Sequence, residues 1–321
     1  MKWGIISTAD INRLVIPPAR ESAKVDLVGV ASRTQERADE YAAKWEIPRA
    51  YGSYEELLAD PEIEAVYISL PNTMHTEWSI KSVEAGKHVL CEKPFTRHPE
   101  EIDQAWDAAD RAGKLLSEAF MYRHNPQSKR LRAMIEEGAI GEVRLIRTVF
   151  SYSLYDEDNI RLRTDVEGGA LMDVGCYCVS GARLAAGAEP ETVYGQAWFG
   201  PSGTDWVFAG VLRFPGDVLA TFDCGTALPN RDELEVVGSD GSLFLDDPWH
   251  AKSPVIEHRH SGGVDRIELE HVDSYRLELE NVTDAAKGDA ELLLGREDAL
   301  GQARALEALH RSATTGRPVS L

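Results

Sequence analysis

Over residues 1–121 short apolar runs alternate with stretches of helical period, and this alternation leaves the chain few folds to choose from. Residues 2–7, 26–31, 65–70 and 87–91 read as buried strands, with a last apolar run at 114–120. The intervening stretches read as helices. One spans 11–22, where Pro17-Pro18 is expected to interrupt or kink it. A second starts at Thr34, whose hydroxyl can cap the amide of Arg37. Another runs from about His75, with Asn72 expected as its cap, to Gly86, which suits the left-handed position after a helix. A further helix covers 99–112. Strands alternating with helices imply a parallel, doubly wound α/β sheet of Rossmann type.

After about Tyr122 the texture changes. A helix near 127–137, a long strand at 142–153 and one helical stretch at 169–186 precede strand-like runs separated by Gly, Pro and Asp. Such a series suggests an α+β domain with a mainly antiparallel, open-faced sheet. A final amphipathic helix at about 296–312 carries Ala299, Ala303, Leu306 and Leu309 on one stripe. The expected division is therefore 1–121 and 122–321, with the last helix able to pack back on the first domain.

Composition narrows the function. A formal net charge of −20 repels phosphate backbones, so no nucleic-acid partner is expected. No apolar run approaches the ~18 residues of a membrane span, and MKWGIIS does not read as a signal peptide. A cytoplasmic protein with no membrane partner is expected. Cys91, Cys176, Cys178 and Cys224 lack the spacing of a zinc set and read as buried thiols. His258-Arg259-His260 reads as a solvated strand face, and no metal is expected.

In open α/β sheets ligands bind beyond the carboxyl ends of the strands. The first end reads Ser7-Thr8-Ala9-Asp10-Ile11-Asn12, in the place of a G-x-G-x-x-G turn but without its glycines. Small residues before a helix N-terminus still suit a pyrophosphate. The second end is Ser32-Arg33, where an NAD site carries an acid about 20 residues past the turn. A hydroxyl and a guanidinium, with Arg37 one turn on, suit a 2′-phosphate, which favours NADP(H) over NAD(H). The next ends are Leu70-Pro71-Asn72 with His75, and Glu92-Lys93-Pro94. Pro94 biases Lys93 toward an extended backbone and aims its ammonium reproducibly.

Taken together, SLPNTMH (69–75), CEKP (91–94), EAFMYR (118–123) and GGALMDVGCY (168–177) resemble the Gfo/Idh/MocA oxidoreductases nearly end to end. The resemblance implies that Lys93 is catalytic and that Asp173 and Tyr177 face the substrate. Many members carry histidine where this chain has Tyr177. The tyrosine variant is similar to the subgroup of glucose–fructose oxidoreductase, dimeric dihydrodiol dehydrogenase and NADP-linked xylose dehydrogenases. Tyr122, Arg123, Tyr155 and Arg161 join the implied substrate contacts, and Asp246-Asp247-Pro248-Trp249 is family-like without an evident role. A homodimer or homotetramer through the second-domain sheet is implied.

The chemistry agrees. A phenol with a pKa of ~10 is a poor base at neutral pH, and a nearby ammonium favours its phenolate. Tyr177 with Lys93 can then exchange a proton with a substrate hydroxyl as its carbon gives hydride to nicotinamide. Asp173, four residues before Tyr177 and so on the same face of an α-helix, would orient a sugar or hold Lys93. The expected activity is NADP-dependent oxidation of a cyclic sugar or polyol, foremost an aldose at its anomeric carbon. A trans-dihydrodiol dehydrogenase, an anhydrosugar or dicarbonyl reductase, and an NADPH sensor without chemistry are the alternatives.

Overall fold

Six parallel strands, β1 (Lys2–Ile6), β2 (Asp26–Ala31), β3 (Arg49–Tyr51), β4 (Ala65–Ile68), β5 (His88–Glu92) and β6 (Leu116–Ala119), pair in the order β3-β2-β1-β4-β5-β6. This is the strand order of a dinucleotide-binding Rossmann sheet. The structure, a computed structural model, describes residues 1–154, 156 and 159–321. It divides into two compact units: Met1–Met121 with Asp273–Leu300, and Tyr122–Val272 with Gly301–Leu321.

In the first unit β1 is buried from Trp3 to Ile6, and β4 and β5 are nearly as dry, which explains their unbroken apolar runs. The helix Asn12–Glu21 continues through Pro17 and Pro18 rather than breaking there. Val15, Ile16, Pro18 and Ala19 are buried on one stripe, and that burial offsets the two lost backbone hydrogen bonds. Thr34 caps the next helix as expected, accepting from the Arg37 amide. Asn72 does not cap the helix His75–Glu84; it opens a 3₁₀ turn whose carbonyl takes the His75 amide.

The helix Ser274–Lys287 has no counterpart in the strand-only sequence reading of this region. It belongs to the first unit, although the sequence assigned everything after 122 to the second domain. Leu279 and Val282 bury into the cluster around Trp3, Ile5 and Tyr67, and the Trp3 indole donates to Thr283 Oγ1 at 3.1 Å. The last helix, Arg296–Thr315, divides between the units at Leu300. Within the first unit Arg296 faces Asp103 (2.7 Å) and Asp107 (2.8 Å). These are exposed pairs, worth about 0–1 kcal/mol each.

The second unit is built on nine strands: β7 (Val143–Ser153), β8 (Thr192–Phe199), β9 (Asp205–Arg213), β10 (Leu219–Gly225), β11 (Ala227–Gly238), β12 (Gly241–Leu245), β13 (Val255–His260), β14 (Gly263–Glu268) and β15 (Val319–Ser320). They pair antiparallel except β10 with β7. Burial alternates along β9 and β10. Phe208, Leu212, Ala220 and Phe222 face inward and Ala209, Val211, Leu219 and Thr221 outward. Inward-facing Thr148 on β7 bonds the Cys178 carbonyl and so docks the helix Cys176–Ala186 on the sheet. All four cysteines are free and buried, and no helix among the described residues is long and apolar enough to cross a membrane.

Glu278, on the helix Ser274–Lys287, is fully buried, and neither carboxylate oxygen has a hydrogen-bond partner. Burial pushes its carboxyl well above the carboxylate range, and the charges of Glu92 and Asp273 add to the effect. An acid whose folded pKa is raised loses stability as pH climbs above its unfolded value of about 4.3. Glu278→Gln is therefore expected to raise the melting temperature at about pH 8 and to change it little near pH 4. An equal shift at both values would place the effect in packing rather than ionisation.

Candidate active site

The turn after β1 replaces glycines with a buried polar network. Ser7 holds a φ of +116°, a conformation that glycine would adopt freely. Its hydroxyl meets the Ser69 carbonyl and hydroxyl at 2.8 Å each and accepts from the Ala9 amide at 3.1 Å. Asn12 donates to the Ser7 carbonyl at 3.0 Å and accepts from Ser69 Oγ at 2.7 Å. Side-chain hydrogen bonds thus hold the backbone where glycine would have been the simpler choice. No described group accepts the amides of Thr8, Asp10 and Ile11, which lie just before the N-terminus of the helix Asn12–Glu21. That geometry fits an anion.

At the end of β2, Ser32 is buried, while Arg33 and Arg37 are exposed and make no ion pair with a described residue. Both guanidiniums act on Tyr54, whose phenol is pushed up by burial and pulled back by the two arginines. No acid stands at this strand end.

Lys93 follows β5, and its peptide bond to Pro94 is cis. The loop is pinned on both sides. The buried His75 ring bridges the Leu70 carbonyl (Nε2, 2.8 Å) and the Pro94 carbonyl (Nδ1, 3.0 Å). Burial lowers the His75 pKa, and the two carbonyls push back. The Phe95 amide donates to Glu118 at 2.7 Å. Buried His75 therefore supports the strand end. Glu92, expected at the cofactor, is also buried and accepts from the Tyr67 hydroxyl.

In the second unit Leu171–Gly175 forms a π-helical turn before the α-helix Cys176–Ala186, where the sequence suggested one continuous α-helix. Such turns recur at functional sites. Asp205 on β9 anchors the start, accepting from the Leu171 amide at 2.6 Å. Burial raises its carboxyl to about 7 against the pull of the amides. Gly169, at φ +128°, cannot carry a side chain, because a Cβ there would stand 2.0 Å from Asp205 Oδ1.

Asp173 and Tyr177 are held by different neighbours. Asp173 accepts from the Tyr152 hydroxyl (Oδ2, 2.5 Å) and from Arg161 Nε (Oδ1, 3.0 Å), and Asn159 in turn braces Arg161. Burial, then the Asp173 charge, pushes the Tyr152 phenol far above its ordinary range, so it stays a donor. Tyr177 is walled by Tyr122, Phe150 and Trp249, with ring centroids 5.9, 5.3 and 5.8 Å away. Trp249 is fixed by its indole bond to the Val149 carbonyl at 3.1 Å.

The expected substrate contacts separate on this geometry. Tyr122 is in the core, 1% exposed, its hydroxyl donating to Ser180 at 2.7 Å, so it supports Tyr177 from behind rather than facing a ligand. Arg123 also reaches Ser180, at 3.4 Å. Arg161 stands on Asp173 and is partly exposed. Tyr155 lies outside the described residues. Sequence reasoning did not single out Tyr152 as Asp173's partner, or Phe150, Ser69 and Asp205. The period of β7 held the signal for two of them: Thr148, Phe150 and Tyr152 recur at every second residue along one face.

Comparison with known proteins agrees with this geometry. The family model for the oxidoreductase family with an NAD-binding Rossmann fold, GFO/IDH/MocA, matches residues 1–120, and the GFO/IDH/MocA C-terminal domain matches 128–244. The chain is 36% identical to the D-xylose 1-dehydrogenase (NADP(+)) 2 of Haloferax volcanii, covering 100% of both. It is 34% identical to a trans-1,2-dihydrobenzene-1,2-diol dehydrogenase of Danio rerio, covering 79% of this chain and 76% of the other. Among solved structures, the aldose-aldose oxidoreductase of Caulobacter crescentus, complexed with glycerol, superposes with a TM-score of 0.93 at 25% identity, covering 100% of this chain and 99% of that one.

The wall behind Tyr177 depends on Gly181, where a Cβ would stand 2.7 Å from the Trp249 ring. Gly181→Ala is expected to cost about 1–3 kcal/mol in urea unfolding through overpacking, with altered near-ultraviolet dichroism. Unchanged stability would contradict the packing of Trp249 on this helix.

Proposed function

This chain belongs to the GFO/IDH/MocA oxidoreductases, and we propose that it transfers hydride between NADP(H) and a cyclic sugar or related polyol, foremost as an aldose 1-dehydrogenase yielding a lactone. Membership sets aside a sensor without chemistry. The observation that carries the reading is the pairing of a walled tyrosine, Tyr177, with a clamped carboxylate, Asp173, in a chain that also keeps Lys93 on a pinned loop. The unpaired Arg33 and Arg37 support NADP. The Haloferax relative is named for the same cofactor and for xylose.

The bound nicotinamide supplies the hydride acceptor. With that group bound, Tyr177 would take the proton of the anomeric hydroxyl, and Lys93, catalytic by the family resemblance, would assist that transfer. Asp173, its orientation set by Tyr152 and Arg161, accepts from a further sugar hydroxyl. Aldose and NADP⁺ give lactone, NADPH and one proton, which leaves through Tyr177. Partly exposed Phe150 beside Tyr177 favours one alternative, oxidation of an apolar cyclic trans-diol by the same residues. Free buried thiols suit a reducing compartment, and we place the reaction in the cytoplasm.

We also propose that a second copy covers the outward sheet face, where Tyr194, Gln196, Val211 and Thr221 line a groove and Trp198 is 59% exposed. Such a surface is unusual on a monomer. Sedimentation equilibrium is expected to give a dimer or tetramer; a monomer at micromolar concentration would count against it.

Lys93→Met and Tyr177→Phe are each expected to lower kcat with D-xylose by roughly 10²–10⁴ while NADPH binding stays within about tenfold. Turnover that survives either change sinks the assigned proton path. Arg33→Ala is expected to weaken NADP⁺ by about 10–100-fold and to leave NAD⁺ nearly unaffected. Equal losses for both dinucleotides would remove the 2′-phosphate from its role.

A further inference from the structure

We propose that the hairpin β13–β14 carries a binding site for a divalent transition-metal cation, formed by His258, His260 and Asp265. The two histidines stand two apart on β13, so their rings leave the same face of the sheet. The hairpin register sets Asp265 of β14 directly across from His258. The ring centroids are 4.8 Å apart, and His260 Nε2 is 3.0 Å from Asp265 Oδ2. One nitrogen from each ring and one Asp265 oxygen all lie within 4.8 Å of one another. Ligand atoms bound to zinc at about 2.0–2.1 Å stand roughly 3 Å apart. One pair is already at that spacing, and small side-chain rotations bring in the third.

The surrounding hydrogen bonds set the ring tautomers. His258 Nε2–H donates to the Ala139 carbonyl at 2.9 Å, which leaves the lone pair on the other ring nitrogen. Contacts of this kind fix the tautomer of metal-bound imidazoles. His260 Nδ1 accepts from the Gly262 amide at 3.1 Å, which puts the ring proton on Nε2, toward Asp265. A cation that takes Nε2 shifts the ring proton to Nδ1, and the Gly262 amide bond gives way. Two imidazoles and one carboxylate suit Zn²⁺, Ni²⁺ or Cu²⁺ and not Mg²⁺ or Ca²⁺. Among the described residues β14 is the outermost strand and pairs with β13 alone, so a cation bridging the two braces an open edge. His258-Arg259-His260 reads as a bare solvated face in sequence because Asp265 arrives only through the register of the hairpin.

A second cluster, Asp232, Asp247 and His250, serves as the internal control. It offers one imidazole where the first cluster offers two, and its Asp247 already accepts from the amides of Lys252 and Ser253 at 2.6 and 3.3 Å. The full-length protein, dialysed against chelator, is titrated with Zn²⁺ by calorimetry and with Co²⁺ by visible absorption, with Mg²⁺ in parallel. One saturating zinc per chain is expected. Its affinity should fall about tenfold or more in His258→Ala and in His260→Ala and stay unchanged in His250→Ala. Circular dichroism checks the fold of each variant, and His260→Gln provides a milder second substitution. Non-saturable zinc uptake, equal binding of Mg²⁺, or loss confined to His250→Ala would overturn the site.

Discussion

The inward row of β7 organises the second unit. Thr148, Phe150 and Tyr152 follow one another on one sheet face, and each meets a different part of the segment that runs from the π turn into the helix Cys176–Ala186. Thr148 holds the helix backbone at Cys178, Phe150 packs on the Tyr177 ring, and Tyr152 holds the Asp173 carboxylate. Because strand side chains repeat every two residues, a one-residue slip of β7 would turn all three to the outer face. The pairing of β7 with both β10 and β11 resists such a slip. The spacing of Asp173 and Tyr177 is thus tied to backbone register rather than to flexible side chains.

The first unit meets a comparable demand by different means. The turn after β1 needs backbone at positive φ, and this chain provides it with serine. The cost of that conformation, of order 1–3 kcal/mol, is offset by the interlocked Ser7, Asn12 and Ser69. Glu278 works in the other direction. A fully buried carboxyl without hydrogen bonds stays protonated and lowers stability at neutral pH, where the unfolded chain would ionise it. We find no structural gain that compensates for it. Proteins do carry such groups while remaining stable enough overall.

The sequence made the Rossmann sheet legible because its strands are buried on both faces and their apolar runs are therefore unbroken. It also marked the strand ends at Ser7, Arg33 and Lys93, where apolar runs stop at polar or charged residues. It did not reveal the helix Ser274–Lys287, whose inward stripe is diluted by buried Ser274, Glu278 and Thr283. Nor did it show that Pro17 and Pro18 stay inside a helix, since tertiary burial there overrides local propensity. Asp173 and Tyr177 stood out by motif, but which side chains each of them meets did not. Tyr152, Asp205 and Trp249 are distant in sequence and come together only through sheet register and packing.

Hydride transfer from the anomeric carbon is tested most directly with D-xylose deuterated at that carbon, turned over with NADP⁺, and mass spectrometry of both products. NADPH is expected to carry the deuterium, and the xylonolactone, or its open acid, to lack it. NADPH formed without label, or a labelled lactone, would contradict oxidation at the anomeric carbon. It would then move the chemistry of Lys93, Asp173 and Tyr177 to another carbon.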